Sequence, residues 1–101
     1  MKIIWSPTSL RKIDTIIDFI ARDNVNAALA LLDKFEEKAR SLDNHPLKGR
    51  MIPVLKDEMK REMVITKNYL LVYEIHGNTI EILTVRHVKQ DSDESEVNDD
   101  Q

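Results

Sequence analysis

Residues 68–87, NYLLVYEIHGNTIEILTVRH, decide the fold of this chain. Two runs rich in β-branched and aromatic residues flank Gly77-Asn78, a pair that favours a two-residue hairpin turn. We therefore predict two antiparallel strands, at residues 69–76 and 79–87. This hairpin ends on Arg86 and His87, so the rest of the chain is interpreted as support for that end of a small sheet.

The sequence before the hairpin predicts one strand and two helices. Residues 2–5 form a short strand, and Ser6-Pro7 is typical of an N-cap followed by proline at the first helical position. Asp23-Asn24 separates a first helix from a second helix at residues 25–42, and so short a join predicts an antiparallel helical hairpin. The apolar residues at helical spacing are Leu10, Ile13, Ile16, Ile17 and Ile20 in the first helix, and Ala28, Leu31, Leu32, Phe35, Ala39 and Leu42 in the second.

Two more strands are predicted between the helices and the hairpin. Residues 43–50, DNHPLKGR, are a loop, and strands follow at about residues 51–56 and 59–66. Pro53 limits the first of these to the edge of the sheet, because proline donates no ladder hydrogen bond. The predicted fold class is therefore α+β, with an N-terminal strand and an antiparallel helical hairpin packed on a mainly antiparallel sheet of three to four strands.

Charge is distributed unevenly along the chain. Residues 91–101, DSDESEVNDDQ, carry six acids and no base, whereas residues 1–90 hold 15 basic and 12 acidic residues, a net charge of +3. We expect one domain at residues 1–90 and a disordered acidic tail, because the tail has a single apolar residue, Val97, to bury. The tail either keeps the chain in solution or shields the basic end beside it.

Composition also argues against several classes of protein. The absence of cysteine excludes disulfides and cysteine-based zinc sites. The sequence contains no run of 18 apolar residues, so no membrane span is predicted. The apolar run between Lys2 and Ser6-Pro7 is too short for a secretory signal, so a cytoplasmic protein is expected. His45, His76 and His87 have no spacing that suggests a shared metal, and we expect neither a metal nor a cofactor.

A two-residue turn at each hairpin fixes a predicted register. Turns at Gly77-Asn78 and Lys67-Asn68 place Tyr73 opposite Ile82, Tyr69 opposite Arg86, and Arg61 opposite Glu74. Alternation along the strands then separates two faces of the sheet. The face toward the helices carries Met63, Ile65, Leu70, Val72, Leu83 and Val85, and the open face carries Lys60, Glu62, Thr66, Tyr69, Tyr73, Ile82, Thr84 and Arg86.

The end of the hairpin holds groups that can bind a partner or move a proton. An arginine can grip phosphate or carboxylate, and a tyrosine can stack on a base or pack against a protein, although such residues are also ordinary exposed surface. His87 can act as a general acid or base near neutral pH, or it is simply a rim histidine at the end of a strand. Arg61 can stabilise a phosphate, or it pairs with Glu74 or Glu81.

Four segments, taken in order over about residues 3–90, resemble the RelE/ParE superfamily of toxins from bacterial toxin–antitoxin modules. IIWSPTSLRKIDTIIDFIARDNVNAALALLDKF is similar to the opening strand and helical hairpin, and LDNHPLKGR to an L-x-x-x-P-x-x-G-R loop. MKREMVITKNYLLVYEI is similar to a strand pair that carries an arginine and a Y-x-x-x-Y motif, here Arg61, Tyr69 and Tyr73, and ILTVRHVKQ to the closing I-L-x-V-x-H-x-R-R. The chain departs from the closing motif in its basic pair, of which only Lys89, the residue after Val88, is basic.

The resemblance implies one of two activities on the same fold. RelE-like members cleave mRNA on the ribosome, whereas ParE-like members inhibit DNA gyrase. The helical-hairpin turn and the P-x-x-G-R loop are more similar to the ParE branch. The resemblance therefore implies a gyrase inhibitor that is neutralised by a ParD-like antitoxin in a hetero-oligomer, with no sequence-specific DNA binding by this chain.

Two alternatives stay open, namely a metal-independent endoribonuclease that uses Arg61, Arg86 and His87, and an inactive relative that only binds antitoxin. The predicted register argues against a compact catalytic pair, because it sends Arg86 and His87 to opposite faces. The candidates for target binding are Lys60, Arg61, Tyr69, Tyr73, Arg86, His87 and Lys89, and those for antitoxin binding are Trp5, Leu10, Ile13, Ile17, Leu31 and Phe35.

Overall fold

The helices and strands follow each other in the predicted order. A computed structural model, which describes residues 1–89, begins with β1 (Lys2–Trp5), α1 (Pro7–Ala21) and α2 (Val25–Arg40). A 3₁₀ turn at Ser41–Asp43 ends the helical hairpin. Strands β2 (Arg50–Met51), β3 (Lys60–Thr66), β4 (Tyr69–His76) and β5 (Thr79–His87) then complete the sheet. The acidic tail expected at residues 91–101 lies outside the described residues.

Both helices begin at the side-chain caps that the sequence contains. The Ser6 hydroxyl accepts a hydrogen bond from the Ser9 amide at 3.1 Å, and Pro7 follows at the first helical position. The same hydroxyl donates to the Leu83 carbonyl at 2.9 Å, so the start of α1 is fixed to β5. Asn24 caps α2 by accepting from the Ala27 amide at 2.9 Å.

The sheet has five strands in the order β1-β5-β4-β3-β2, with the helical hairpin on one face. β1 runs parallel to β5, and every other pair is antiparallel. The α+β class is confirmed. The strand predicted at residues 51–56 is wrong in length, because β2 is only two residues long and residues 53–56 form turns. Pro53 cannot donate to a ladder and ends the pairing early.

The β4–β5 register is confirmed near the turn and wrong beyond it. Gly77 has a φ of +56°, as the first central residue of a II′ turn requires, and Tyr73 lies opposite Ile82 as predicted. A bulge at Leu83 then shifts the pairing by one residue. Tyr69 consequently lies opposite His87 rather than Arg86.

A second bulge shifts the β3–β4 pairing. Thr66 lies opposite Tyr69, so the two-residue turn is confirmed, but Ile65 is an extra residue in β3. Arg61 therefore lies opposite Tyr73 and not opposite Glu74.

The two bulges change which side chains face the helices. Tyr73 and Ile82 were predicted on the open face, yet both are fully buried in the core against the helical hairpin. Tyr69 also turns toward α2, where its ring packs edge-on against Phe35 with centroids 5.9 Å apart. The buried core consists of Ile13, Phe35, Ala39, Leu42, Met63, Ile65, Leu71, Tyr73, Ile80, Ile82 and Val85.

The open face carries the alternate residues of the same strands. Leu70 and Val72, predicted in the core, alternate with the core residues Leu71 and Tyr73 and so lie on this face. Arg86 lies opposite Leu70 and shares the open face, as predicted. None of the helices within residues 1–89 is long and apolar enough to cross a membrane.

Candidate functional site

Tyr73 ties the core to the loop before β2. Its hydroxyl donates a hydrogen bond to the Pro46 carbonyl at 2.7 Å and accepts one from the Gly49 amide at 2.9 Å. Burial raises the pKa of the Tyr73 phenol, while the Gly49 hydrogen bond and the charge of Arg61 act in the opposite direction. Tyr73 is therefore a buried anchor, and its prediction as a target-binding residue on the surface is wrong.

Arg61 holds the same loop from a second direction. Its Nη1 donates to the Gly49 carbonyl at 2.8 Å, and its Nε donates to the Glu58 carbonyl at 2.9 Å. These two bonds join the loop before β2 to the turn before β3. The predicted pairing of Arg61 with Glu74 or Glu81 is not formed, and the guanidinium serves the backbone instead.

A charged cluster occupies the open face of the sheet. Glu62 is only 4% exposed, and its Oε2 contacts Nε and Nη2 of Arg50 at 2.6 and 2.5 Å. Its Oε1 lies 3.6 Å from Nη1 of Arg86. We call this set the Arg50–Glu62–Arg86 cluster.

The cluster presents more positive than negative charge to solvent. The acid is buried, whereas the side chains of Arg50 and Arg86 are 73% and 43% exposed. The buried carboxylate holds Arg50 through two guanidinium nitrogens and also lies near Arg86, so these three side chains bring two cationic groups and one acid together. Such a surface can bind a carboxylate or a phosphate of a partner. Arg86 was among the predicted site residues, whereas Arg50 and Glu62 were not, because Glu62 was predicted only as an open-face residue and meets Arg50 through the pairing of β2 with β3.

An aromatic pair lies at the same end of the sheet but on its other face. The rings of Tyr69 and His87 meet edge-to-face with centroids 5.0 Å apart. Burial raises the pKa of the Tyr69 phenol. His87 therefore lies at the rim beside the helices, and the predicted separation of Arg86 and His87 onto opposite faces is confirmed.

The three residues of the nuclease alternative do not converge. Arg86 lies on the open face, whereas Arg61 and His87 lie in rows of the helix-facing side. Arg61 lies opposite Tyr73 and His87 lies opposite Tyr69. Because Tyr69 and Tyr73 are four residues apart in β4, Arg61 and His87 are displaced by about 13 Å along the strand direction. An acid–base group must reach the proton it moves to within about 3 Å, and this arrangement gives one phosphate no common site.

The two lysines among the target candidates lie apart from the cluster residues. Lys60 is half-buried and lies opposite Glu74 on the open face. Lys89 is exposed in the helical turn that follows β5.

The antitoxin candidates divide into core and surface residues. Ile13 and Phe35 belong to the core, so their prediction as contact residues is wrong. Trp5, Ile17 and Leu31 are partly buried against that core. Leu10 is 50% exposed. The helical hairpin also exposes the apolar residues Phe19, Val25 and Leu29. These three were not among the predicted contact residues, because they lie outside the apolar face that helical spacing indicates.

Comparison with known proteins agrees with this geometry. Residues 3–92 match the model of the family described as the ParE toxin of the type II toxin–antitoxin system, parDE. The chain is 30% identical over 90 residues to "Putative toxin Y4kP" of Sinorhizobium fredii (strain NBRC 101917 / NGR234), a match that covers 88% of this chain and 90% of the relative.

Solved structures share the fold at low sequence identity. The chromosomal ParDE toxin–antitoxin system from P. aeruginosa aligns with a TM-score of 0.70 at 18% identity, over 86% of this chain and 95% of that chain. The YoeB/ParE toxin from Agrobacterium tumefaciens aligns with a TM-score of 0.60 at 19% identity, over 86% and 98% of the two chains. Because the family model covers nearly the whole chain, this protein belongs to the ParE toxin family of type II toxin–antitoxin systems.

Proposed function

We propose that this chain inhibits DNA gyrase by binding it, and that the Arg50–Glu62–Arg86 cluster is part of the binding surface. The observation that carries this proposal is that Arg61, Arg86 and His87 lie apart and contact different parts of the protein. Arg61 is committed to two loop carbonyls, and Arg86 lies on the face opposite His87. Within residues 1–89, Arg61, Arg86 and His87 therefore do not converge on one site, whereas Arg50 and Arg86 expose cationic side chains around Glu62, which suits a binding toxin.

A supercoiling assay tests the proposal. Purified chain is titrated into gyrase, ATP and relaxed plasmid, and supercoiled product is measured on gels. We expect loss of supercoiling as the chain reaches micromolar concentration. Full supercoiling at a large molar excess of folded chain would overturn the proposal.

One observation favours ribosome-dependent mRNA cleavage as a second candidate. His87 lies at the end of β5 with its partly exposed ring against the ring of Tyr69, and a histidine is the side chain most often used as a general acid or base. Primer extension on mRNA from translating ribosomes detects this activity as discrete cuts within codons. Such cuts, lost in His87→Gln, together with normal supercoiling, would replace the gyrase proposal with the nuclease. If growth is normal after induction and both assays are negative, the chain is an inactive relative.

We further infer that a cognate antitoxin covers the helical hairpin. Leu10, Phe19, Val25 and Leu29 expose apolar side chains there, with Phe19 67% exposed. Val25 and Leu29 are four residues apart in α2 and share one face of it. A partner segment that buries them would gain roughly 25 cal/mol for each Å² of apolar surface removed from water.

Substitution of Leu29 tests this inference. Leu29→Asp places a charge on the exposed hairpin face, and the affinity for the antitoxin encoded beside this gene should fall at least about tenfold in titration calorimetry. Val64→Asp is the matched control, since Val64 is equally exposed but lies on the open face of the sheet. A loss caused by Val64→Asp and not by Leu29→Asp would place the antitoxin on the sheet instead.

A further inference from the structure

Near the turn of the β4–β5 hairpin, three potential metal ligands meet on the open face. Glu74 and His76 are two residues apart in β4 and so point to the same side, and Glu81 lies directly across from Glu74 in β5. One donor atom from each side chain lies within 4.8 Å of the other two. The spacing of the three histidines did not predict this group, because its other two donors are glutamates brought beside His76 by the pairing of β4 with β5.

We propose that Glu74, His76 and Glu81 form a binding site for a divalent transition metal, with Zn²⁺ as the ion that the donor set suits best. The His76 Nε2 atom lies 3.2 Å from Oε1 of Glu74 and 3.4 Å from Oε1 of Glu81. Ligand atoms bound to tetrahedral zinc at about 2.0–2.2 Å are separated by about 3.4 Å. The nitrogen therefore stands at nearly this spacing from each carboxylate oxygen, the three donor atoms lie within 4.8 Å of one another, and a fourth position is left for water.

The chemistry of the donors selects the class of ion. One imidazole nitrogen and two carboxylate oxygens suit zinc and its neighbours, whereas Ca²⁺ and Mg²⁺ prefer six or more oxygen ligands. The site is thus more than an acidic patch, because the nitrogen lies between the two carboxylates.

Two acids face each other across β4 and β5 at this position, and a cation between them would be stabilising. Glu74 and Glu81 are a directly opposed pair of like charges, an arrangement that destabilises a β-ladder. Lys60, a positive charge, lies opposite Glu74 on β3, which is on the side of β4 away from Glu81. A divalent ion between the two acids would remove the repulsion and join the two strands near their turn.

The site is separate from the proposed gyrase surface. Glu81 and Arg86 are five residues apart in β5, or about 16 Å along the strand. The Lys2 amide donates to the Asn78 carbonyl at 3.0 Å, so β1 begins beside the same turn. Metal binding would therefore fix the end of the sheet where β1, β4 and β5 meet, and its role is structural.

Titration of the full-length chain, free of any affinity tag, with ZnCl₂ in a calorimeter at pH 7.5 tests the proposal. We expect one Zn²⁺ bound per chain. His76→Ala and Glu81→Gln should each lower the affinity at least about tenfold, since even partners outside the ligand set change metal affinity about 10- to 100-fold. His45→Ala, which removes an exposed loop histidine, should leave it within about twofold.

Nuclear magnetic resonance gives a second readout that does not depend on a variant's folding. Zn²⁺ should shift the ring nitrogen signals of His76 and leave those of His45 unchanged, and MgCl₂ should shift neither. The proposal is overturned if wild-type chain takes up no Zn²⁺, if His45→Ala abolishes binding while His76→Ala does not, or if Mg²⁺ binds as tightly as Zn²⁺.

Discussion

Tyr73 is both a core residue and the anchor of the loop at residues 46–50. Its ring is fully buried, and its hydroxyl satisfies one backbone donor and one backbone acceptor of that loop. Arg61 completes the arrangement through the Gly49 carbonyl. The residues through which the chain resembles its family at this point, Pro46, Gly49, Arg61 and Tyr73, therefore form one structural unit.

Tyr73→Phe should lower the free energy of unfolding by about 1–3 kcal/mol, measured by urea denaturation. The phenylalanine ring fills the same space but leaves the buried Gly49 amide without its acceptor, a loss of that size. Tyr69→Phe is the control, because the contacts of its ring with Phe35 and His87 remain, and a smaller loss is expected. Equal stability of wild type and Tyr73→Phe would contradict the anchoring role.

The raised pKa values of Tyr69 and Tyr73 predict a loss of stability in alkali. The folded state favours the neutral phenol, so this contribution is complete below the unfolded pKa of 10.0 and disappears as the pH rises through the higher folded pKa. Denaturation between pH 9 and pH 12 should therefore show stability falling above about pH 10, less steeply in Tyr73→Phe. An identical slope in both proteins would contradict the assignment to Tyr73.

Gly49 is required for steric reasons. A Cβ atom at this position would lie 2.7 Å from the Glu62 carbonyl oxygen and 2.8 Å from the Tyr73 hydroxyl. Gly49→Ala should therefore destabilise the fold by about 1–3 kcal/mol, as overpacking does, and lower the melting temperature. No atom lies within 4 Å of a Cβ added at Gly77, so the requirement for glycine there comes from the positive φ of the II′ turn and not from packing. A melting temperature of Gly49→Ala equal to that of wild type would be inconsistent with the packing of the loop.

At the scale of elements, local signals predicted the boundaries well. Ser6-Pro7, Asn24 and Gly77-Asn78 each act through their own neighbours, and each begins or ends an element as the sequence indicates. The cap of α2 gives a direct test. Asn24→Ala should cost about 1 kcal/mol in chemical denaturation, whereas Asn26→Ala, within the first turn of the same helix, should stay within about 0.5 kcal/mol. Equal effects would contradict the capping role.

Strand register could not be derived from the sequence with the same success. Both two-residue turns are correct, but the bulges at Ile65 and Leu83 shift the pairs beyond them by one residue. A bulge depends on how side chains pack across the whole sheet, and no dipeptide marks it. This is why Tyr69 and Tyr73 face the helices instead of the open side.

The candidate site was predictable only in part for a similar reason. Arg86 was predicted on the correct face. Side chains alternate between the two faces along β5, so Arg86 lies on the face opposite its buried neighbour Val85 whatever the bulge does to the pairing. Its partner Glu62 and the second arginine, Arg50, meet only through the pairing of β2 with β3. That pairing brings together residues 12 positions apart across a loop, and neither periodicity nor turn chemistry specifies it.

At the scale of the whole molecule, the fold separates three surfaces. The helical hairpin exposes apolar residues, the open sheet face carries the Arg50–Glu62–Arg86 cluster away from the β4–β5 turn, and the tip of the β4–β5 hairpin carries Glu74, His76 and Glu81. An antitoxin, a target and a metal ion can therefore be proposed for different parts of one small domain. Substitutions in one surface should leave the other two functions intact.

Binding of gyrase by the open face of the sheet is tested by the concentration of chain that halves supercoiling. Arg86→Ala should raise this concentration at least about tenfold, because an interfacial arginine contributes on the order of 2 kcal/mol or more to binding. Arg11→Ala removes the same charge from the exposed surface of α1 and should leave the value within about twofold. The account would be contradicted if the two variants inhibit gyrase equally, with Arg86→Ala folded and as potent as wild type.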